Sequence, residues 1–278
     1  MKQARGLIRV ISLAGVALAG SPIVTRAVLV APHAVFIDHR QRTGQITVAN
    51  PGDRPEEVEI DFVFGYPATD SAGNPYVKMI EQPGPEQPSA AEWMRAFPRR
   101  MRLEPGQRQV VRLLASPPDD LPDGEHWSRL IVTSRREAPI AVADSGLMAG
   151  ITVKLRTIMS LTYRKGSPET SVTLTDLRGA VEGDSLVTWI GLERQGNAAY
   201  LGTVRFEVVD DGERVVREWS LPVAVYYELH RRLALPLGGI SPGTYRVRFE
   251  LSTARKDIPQ TNVLPAPPIA RSFDIQVG

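Results

Sequence analysis

The sequence predicts an all-β chain made of two immunoglobulin-like β-sandwich domains joined by a short hinge. Its 278 residues are too many for one such sandwich and suit two, at about 100 residues each. Short runs rich in β-branched and aromatic residues alternate with turns, and 23 Pro and 23 Gly supply the interruptions. Almost no stretch keeps a 3.6-residue apolar period over three turns, which leaves little place for helices. With 42% hydrophobic and 23% charged residues the chain can bury a core, so wholesale disorder and a long coiled coil are excluded.

The first segment stands apart from this pattern. Residues 1–9 are basic, 10–20 form an apolar run too short to span a bilayer, and Thr25-Arg26-Ala27 offers a small-x-small cleavage pattern. Residues 1–27 therefore read as a signal peptide, cleaved after Ala27 or near Gly20, with an uncleaved anchor as the alternative. The n-region and the lack of cysteine point to a bacterial periplasm. Those residues hold Lys2, Arg5, Arg9 and Arg26 and no acid, so losing these four cations turns the formal charge of +2 into −2. A mildly acidic mature chain gives no global attraction to nucleic acid. No second stretch reaches about 18 apolar residues, and no membrane insertion of the mature chain is expected.

The strands follow in order. Runs at 34–37 and 45–49 are β-rich, and Asn50-Pro51-Gly52-Asp53 turns the chain into 58–64, where Val58, Ile60, Phe62 and Phe64 share one face. Residues 66–88 read as a long excursion with a hairpin tip at 70–75. The turn Glu104-Pro105-Gly106-Gln107 predicts a hairpin over 99–114, and a turn at 121–125 feeds a strand over 127–134. The most regular element is 147–163, with Leu147, Ala149, Ile151, Val153, Leu155, Met159, Leu161 and Tyr163 on one parity and Thr152, Lys154, Arg156, Ser160 and Thr162 on the other. Residues 164–171 form a polar link. Beyond it, strands are expected at 186–192, 202–209, 215–221, 232–237, 244–251 and 272–277, giving an N-terminal domain over 28–165 and a C-terminal one over 170–278.

Catalytic signatures are missing: there is no Gly-x-Ser-x-Gly elbow, phosphate-binding glycine loop or His-Glu-x-x-His motif, so no enzyme is expected. Zero cysteines remove thiolate chemistry. His33 and His39 share a parity around one strand and His126 lies elsewhere, but no acid or cysteine completes a metal spacing, so neither metal nor cofactor is expected. Arg99, Arg100, Arg102, Arg108 and Arg112 make one stretch basic. Without interleaved aromatics it reads as an exposed sheet face or a guarded edge and not as a nucleic-acid site.

Several segments in this order carry a resemblance. Ala34-Val35-Phe36 opens a first strand, Arg102-Leu103-Glu104-Pro105-Gly106 precedes a Val-Arg-Leu strand, and Asp119-Asp120-Leu121-Pro122-Asp123-Gly124-Glu125 forms a turn. Arg136-Glu137-Ala138-Pro139 ends one strand, and Leu161-Thr162-Tyr163-Arg164 closes the long one. Together they resemble the periplasmic pilus and fimbrial assembly chaperones of the chaperone/usher pathway, over the first domain by motif and the second by size and strand content. The resemblance implies two sandwiches set like a boomerang around a cleft. It also implies a non-enzymatic chaperone that caps pilin-like fibre subunits by donor-strand complementation and delivers them to an outer-membrane usher.

In that family the long strand lends alternate apolar residues to the subunit, here Ile151, Val153, Leu155 and Met159, which could equally pack their own core. The family's two basic carboxylate anchors fall at His33 and Ser160, neither of them Arg or Lys. Arg156, Lys154 and Arg129 are the possible replacements. A secreted structural or adhesive module binding through the 66–93 loop is the alternative reading.

Overall fold

The computed structural model describes residues 28–141 and 148–278, with side chains described except at 137–141 and 148–151. The expected signal peptide, 1–27, lies outside the described residues. The first half contributes ten strands: β1 (Leu29–Ala31), β2 (Ala34–Asp38), β3 (Thr43–Ala49), β4 (Glu56–Thr69), β5 (Pro75–Ile80), β6 (Met94–Phe97), β7 (Arg100–Leu103), β8 (Arg108–Ala115), β9 (Gly124–Ala141) and β10 (Met148–Lys165). They form two sheets, one in the order β1-β3-β8-β6 and one in the order β2-β10-β9-β4-β5 with β7 also on β4. Alternate residues of both sheets meet in a single core, with Ile46, Val48, Val111 and Leu113 facing Val35, Ile60, Leu130, Val132 and Leu161.

The second half adds β11 (Thr170–Glu182), β12 (Ser185–Gly196), β13 (Tyr200–Val209), β14 (Val215–Val225), β15 (Glu228–Pro236), β16 (Gly243–Ser252) and β17 (Ile269–Val277). Sheets β11-β12-β15 and β14-β13-β16-β17 enclose a second core around Leu186, Ile190, Leu192, Val204, Phe206, Phe249 and Leu251. Secondary structure is almost wholly β, as expected. No helix among the described residues is long and apolar enough to cross a membrane.

Three details depart from expectation. The 99–114 hairpin does not form: β7 pairs with β4, whereas β8 pairs with β3 and β6 in the opposite sheet. Carboxylates on β4 take cations at the start of β7 and just before it, Glu59 holding Arg100 at 2.6 Å and Asp61 holding Arg99 at 2.5 Å. The turn at 104–107 thus carries the chain across the sandwich. Asn50, only 1% exposed, holds that crossing: its Nδ2 donates to the carbonyls of Arg54 (2.7 Å) and Leu103 (3.0 Å), and its own carbonyl accepts from the Gly106 amide at 2.8 Å.

The link after β10 is shorter than read, because β11 already begins at Thr170. That strand is hidden by a register shift between Leu174 and Asp176, which moves its apolar residues from even positions (Val172, Leu174) to odd ones (Leu177, Val181). The stretch 66–88 is less irregular than read: β4 runs on to Thr69 and β5 returns from Pro75, with the tip at Asp70 to Asn74 closed by the Asp70 carboxylate.

Asn50→Ala leaves the buried Leu103 carbonyl and the part-buried Arg54 carbonyl without their side-chain donor, at about 1–3 kcal/mol for the buried one. The first sandwich should lose roughly 1–3 kcal/mol, read as a lower urea midpoint at an unchanged slope.

Candidate functional site

β10 has two different edges. Along one it pairs with β9 from Met148 to Lys165 without a register shift. Along the other it pairs with β2 only from Ser160 to Arg164. Among the described residues, the stretch from Met148 to Met159 has no ladder partner on that second side, so its N–H and C=O groups form an open edge.

Side chains grade along the same strand. Met159 is 3% exposed and packs with Leu161 and Tyr163 in the first core, while Val153 and Leu155 are half-buried near the far end. Thr152, Lys154, Arg156 and Ile158 alternate with these and are exposed. Core packing and an apolar ladder available to a partner therefore occupy different parts of one strand, and Met159 lies in the core part. The Ile151 side chain lies outside the described residues.

Register also fixes what stands beside the open edge. Ala34, Ser160, Arg129 and Val63 form a row across β2, β10, β9 and β4. His33 is exposed just before β2, and Ser160 is half-buried. Arg129, 6% exposed, donates through Nε to the Gly65 carbonyl at 3.0 Å and lies 5.2 Å over the Tyr226 ring of the second sandwich. Its Nη2 is buried without a hydrogen-bond partner. A buried guanidinium with an idle donor is costly unless an anion meets it. Lys154 and Arg156 share the face of Ser160 but stand about 20 and 13 Å along the strand, by a rise of roughly 3.3 Å per residue.

The two sandwiches meet over an aromatic cluster, with Phe64 and Trp127 on one side and Ala199, Leu201 and Tyr226 on the other. Trp127 meets Tyr226 at 4.6 Å and Tyr66 meets Tyr227 at 4.7 Å, both edge-on. Burial, with Tyr66 beside it, pushes the Tyr227 hydroxyl up to about 12. Beside this cluster sits Glu125, 2% exposed. Its Oε1 accepts both Nε and Nη2 of Arg164, at 2.9 and 2.8 Å. Its Oε2 accepts the Trp127 indole at 3.0 Å and the Ala199 amide at 2.9 Å, so one carboxylate ties both sandwiches. Sequence reading missed this role, since an acid ending a turn gives no signal of what will close over it.

The histidines stay apart. His39 Nδ1 lies 2.6 Å from the Tyr163 hydroxyl, and His126 Nε2 lies 3.1 Å from the Pro122 carbonyl. Among the described residues no three His, Cys, Asp or Glu side chains gather as a metal site. Of the arginine stretch, Arg99, Arg100 and Arg102 pair with Asp61, Glu59 and Glu104. Such exposed pairs contribute little stability, but they leave those three cations matched by acids.

No known family profile and no curated protein matches the sequence. Solved structures do match. One is the chaperone and tip-subunit pre-assembly complex CsuC–CsuE from archaic chaperone-usher Csu pili of Acinetobacter baumannii, at 13% identity and a TM-score of 0.46, covering 90% of this chain and 98% of that one. A second is the Salmonella enterica SafA pilin with its SafB chaperone, at 13% identity and a TM-score of 0.42, covering 89% and 96%. The Pseudomonas aeruginosa CupB2 chaperone follows at 14% identity and a TM-score of 0.40, covering 88% and 98%. The chain is similar to pilus chaperones.

Glu125→Ala strands the Arg164 charge, the indole N–H and the Ala199 amide, and should cost about 3–5 kcal/mol, the usual loss on breaking a buried pair, read by thermal unfolding. His126 gives a separate expectation. Burial, aided by the Lys165 charge, lowers its pKa below the ordinary 6.5 against weaker opposing effects of Pro122 and Glu125. The folded state then binds fewer protons than the unfolded one, so this contribution is full above pH 6.5 and is lost as pH falls below it. Melting temperature should drop on acidification through that window, and less so in His126→Gln.

Proposed function

We propose that this chain is a periplasmic chaperone that lends the open edge of β10 to an incomplete sandwich subunit of a surface fibre. The observation that carries the reading is the stretch from Met148 to Met159, paired on one side only, with Val153 and Leu155 half-buried on alternate positions. A partner strand adding to this edge would satisfy both rows of backbone groups, while Ile151, Val153 and Leu155 enter the groove left by the subunit's missing strand. Backbone pairing supplies affinity and the alternate pockets supply register.

Arg129 is the anchor in this reading. A subunit's terminal carboxylate would meet the idle Nη2, with the Ser160 hydroxyl as its neighbour, replacing the basic residues absent at His33 and Ser160. Lys154 and Arg156, exposed and farther along, serve better as charges that discourage unwanted edge pairing. The reading includes secretion through residues 1–27, a chaperone domain over 28–165, a second domain over 170–278, and hand-over of the subunit to an outer-membrane usher. It involves binding and no catalysis. The adhesive-loop alternative loses support because the β4–β5 tip is tied down, Thr69 Oγ1 accepting the His230 amide at 3.0 Å.

Co-expression with a candidate subunit, followed by affinity capture, tests the edge. Val153→Asp with Leu155→Asp should lower capture at least about tenfold, a change of about 1.4 kcal/mol, while the variant still melts cooperatively; undiminished capture would sink the proposal. Arg129→Met tests the anchor in two directions. Removing a buried charge with an idle donor should leave the free protein as stable as before or more so, yet reduce capture. A variant that captures as well as wild type would remove Arg129 from the site.

A further inference from the structure

The outer face of the β1-β3-β8-β6 sheet has no part in subunit capture, since β10 belongs to the opposite sheet of the first sandwich. Alternation turns Ile46, Val48, Val111 and Leu113 of β3 and β8 into the core, which leaves the intervening residues on the solvent side. None of these four strands contains an Asp or a Glu. Three arginines stand on the outer face, Arg108 and Arg112 on β8 and Arg95 on β6, and all three are exposed.

These cations are unmatched. Acids near the four strands in sequence lie in the connections, where Glu104 is taken by Arg102. Arg95 Nη1 donates to backbone carbonyls, of Glu92 at 2.6 Å and Met94 at 2.8 Å. Among the described residues no carboxylate pairs with Arg95, Arg108 or Arg112. The second sandwich treats its surface differently: Arg205, Arg246 and Arg248 of the β14-β13-β16-β17 sheet each pair with two acids.

Apolar side chains share the cationic face. Leu29 on β1 is 61% exposed and Phe97 on β6 is 57% exposed, at the two edges of the sheet, with Val110 and Leu114 exposed between them on β8. Register puts Phe97 directly beside Arg112, and Val110 and Leu114 flank Arg112 along its own strand. Thr47 and Ala31 continue the row from Val110 to β1. An arginine stem can cover such neighbours while its head reaches past them. Single exposed apolar residues are ordinary, whereas a set that runs from edge to edge of a sheet marks a contact surface.

We propose that this face rests on an anionic lipid surface, with no segment crossing it. A bilayer interface supplies phosphates and, beneath them, hydrocarbon, and it is flat over the roughly 15 Å that four strands span. An acidic protein or a nucleic acid supplies the anions without the hydrocarbon. The chain also enters the fold here: residues 1–27, with four cations and the apolar run at 10–20, lead through Val28 into β1, the edge strand of this sheet. The face does not depend on the chaperone reading.

Vesicle co-sedimentation with the full mature chain is the test. Binding to vesicles of equal phosphatidylglycerol and phosphatidylcholine is expected, weakened by salt, with little binding to phosphatidylcholine alone. Arg108→Gln with Arg112→Gln should weaken it at least about tenfold, because each cation close to an anionic surface contributes, in a protein whose melting is unchanged. Leu29→Ser with Val110→Thr leaves every charge in place and should weaken it too. The Val153→Asp, Leu155→Asp variant should bind vesicles as wild type does, which separates this face from subunit capture. No binding to the mixed vesicles, equal binding to phosphatidylcholine alone, or undiminished binding by the arginine variant would each overturn the proposal. Undiminished binding by the Leu29 and Val110 variant would also overturn it, as the result expected of a merely charged face that suits an acidic protein.

Discussion

The rest of the molecule depends on one buried carboxylate. Glu125 sits where β9 begins, opposite Arg164 near the end of β10, and takes an indole N–H and a backbone amide from the two sides of the interface. A charge so deep is tolerated only when its lone pairs are filled and its counter-ion is held. Arg164 is held in turn by the Phe36 ring at 4.8 Å and the Asn262 carbonyl at 2.8 Å. The bases of the two longest strands, β2 and the second sandwich are thereby set relative to one another, and the aromatic cluster packs against that arrangement.

Arg129 makes the opposite case within the same sheet. It is as deeply placed as Glu125 but has one neutral acceptor and an aromatic face where Glu125 has four donors. A fully satisfied charge fixes geometry, whereas a partly satisfied one favours whatever completes it. The same contrast runs along β10, whose end near the hinge is locked on both edges and whose far end is locked on one.

Much of this was legible in the residues. The long strand declared itself because its alternation runs over many positions, broken only around Thr157 and Ile158, and the Asn50 and Asp70 turns declared themselves by their chemistry. Two failures have local causes. The register shift in β11 splits its apolar positions between parities, and the 104–107 turn specifies a reversal without saying which strand receives the chain. The site divides in the same way: Val153 and Leu155 are visible as a pattern, but the place of Arg129 beside Ser160 needs the β9–β10 register, and its idle nitrogen depends on Tyr226, almost a hundred positions away. Glu125 reads as one more turn acid until a second sandwich closes over it.

The tied hairpin tip at Thr69 has a consequence for how binding energy is distributed. With the hinge carboxylate on one side and this strut on the other, the angle between the sandwiches is set at folding, and the template strand has already lost its backbone freedom. On the proposed function, a chain adding to β10 would meet a surface that need not reorganise, so the ordering cost of association would fall on the incoming segment. Selectivity would then turn on how readily that segment can become extended, and a stably folded protein passing the same edge would gain nothing by stopping there.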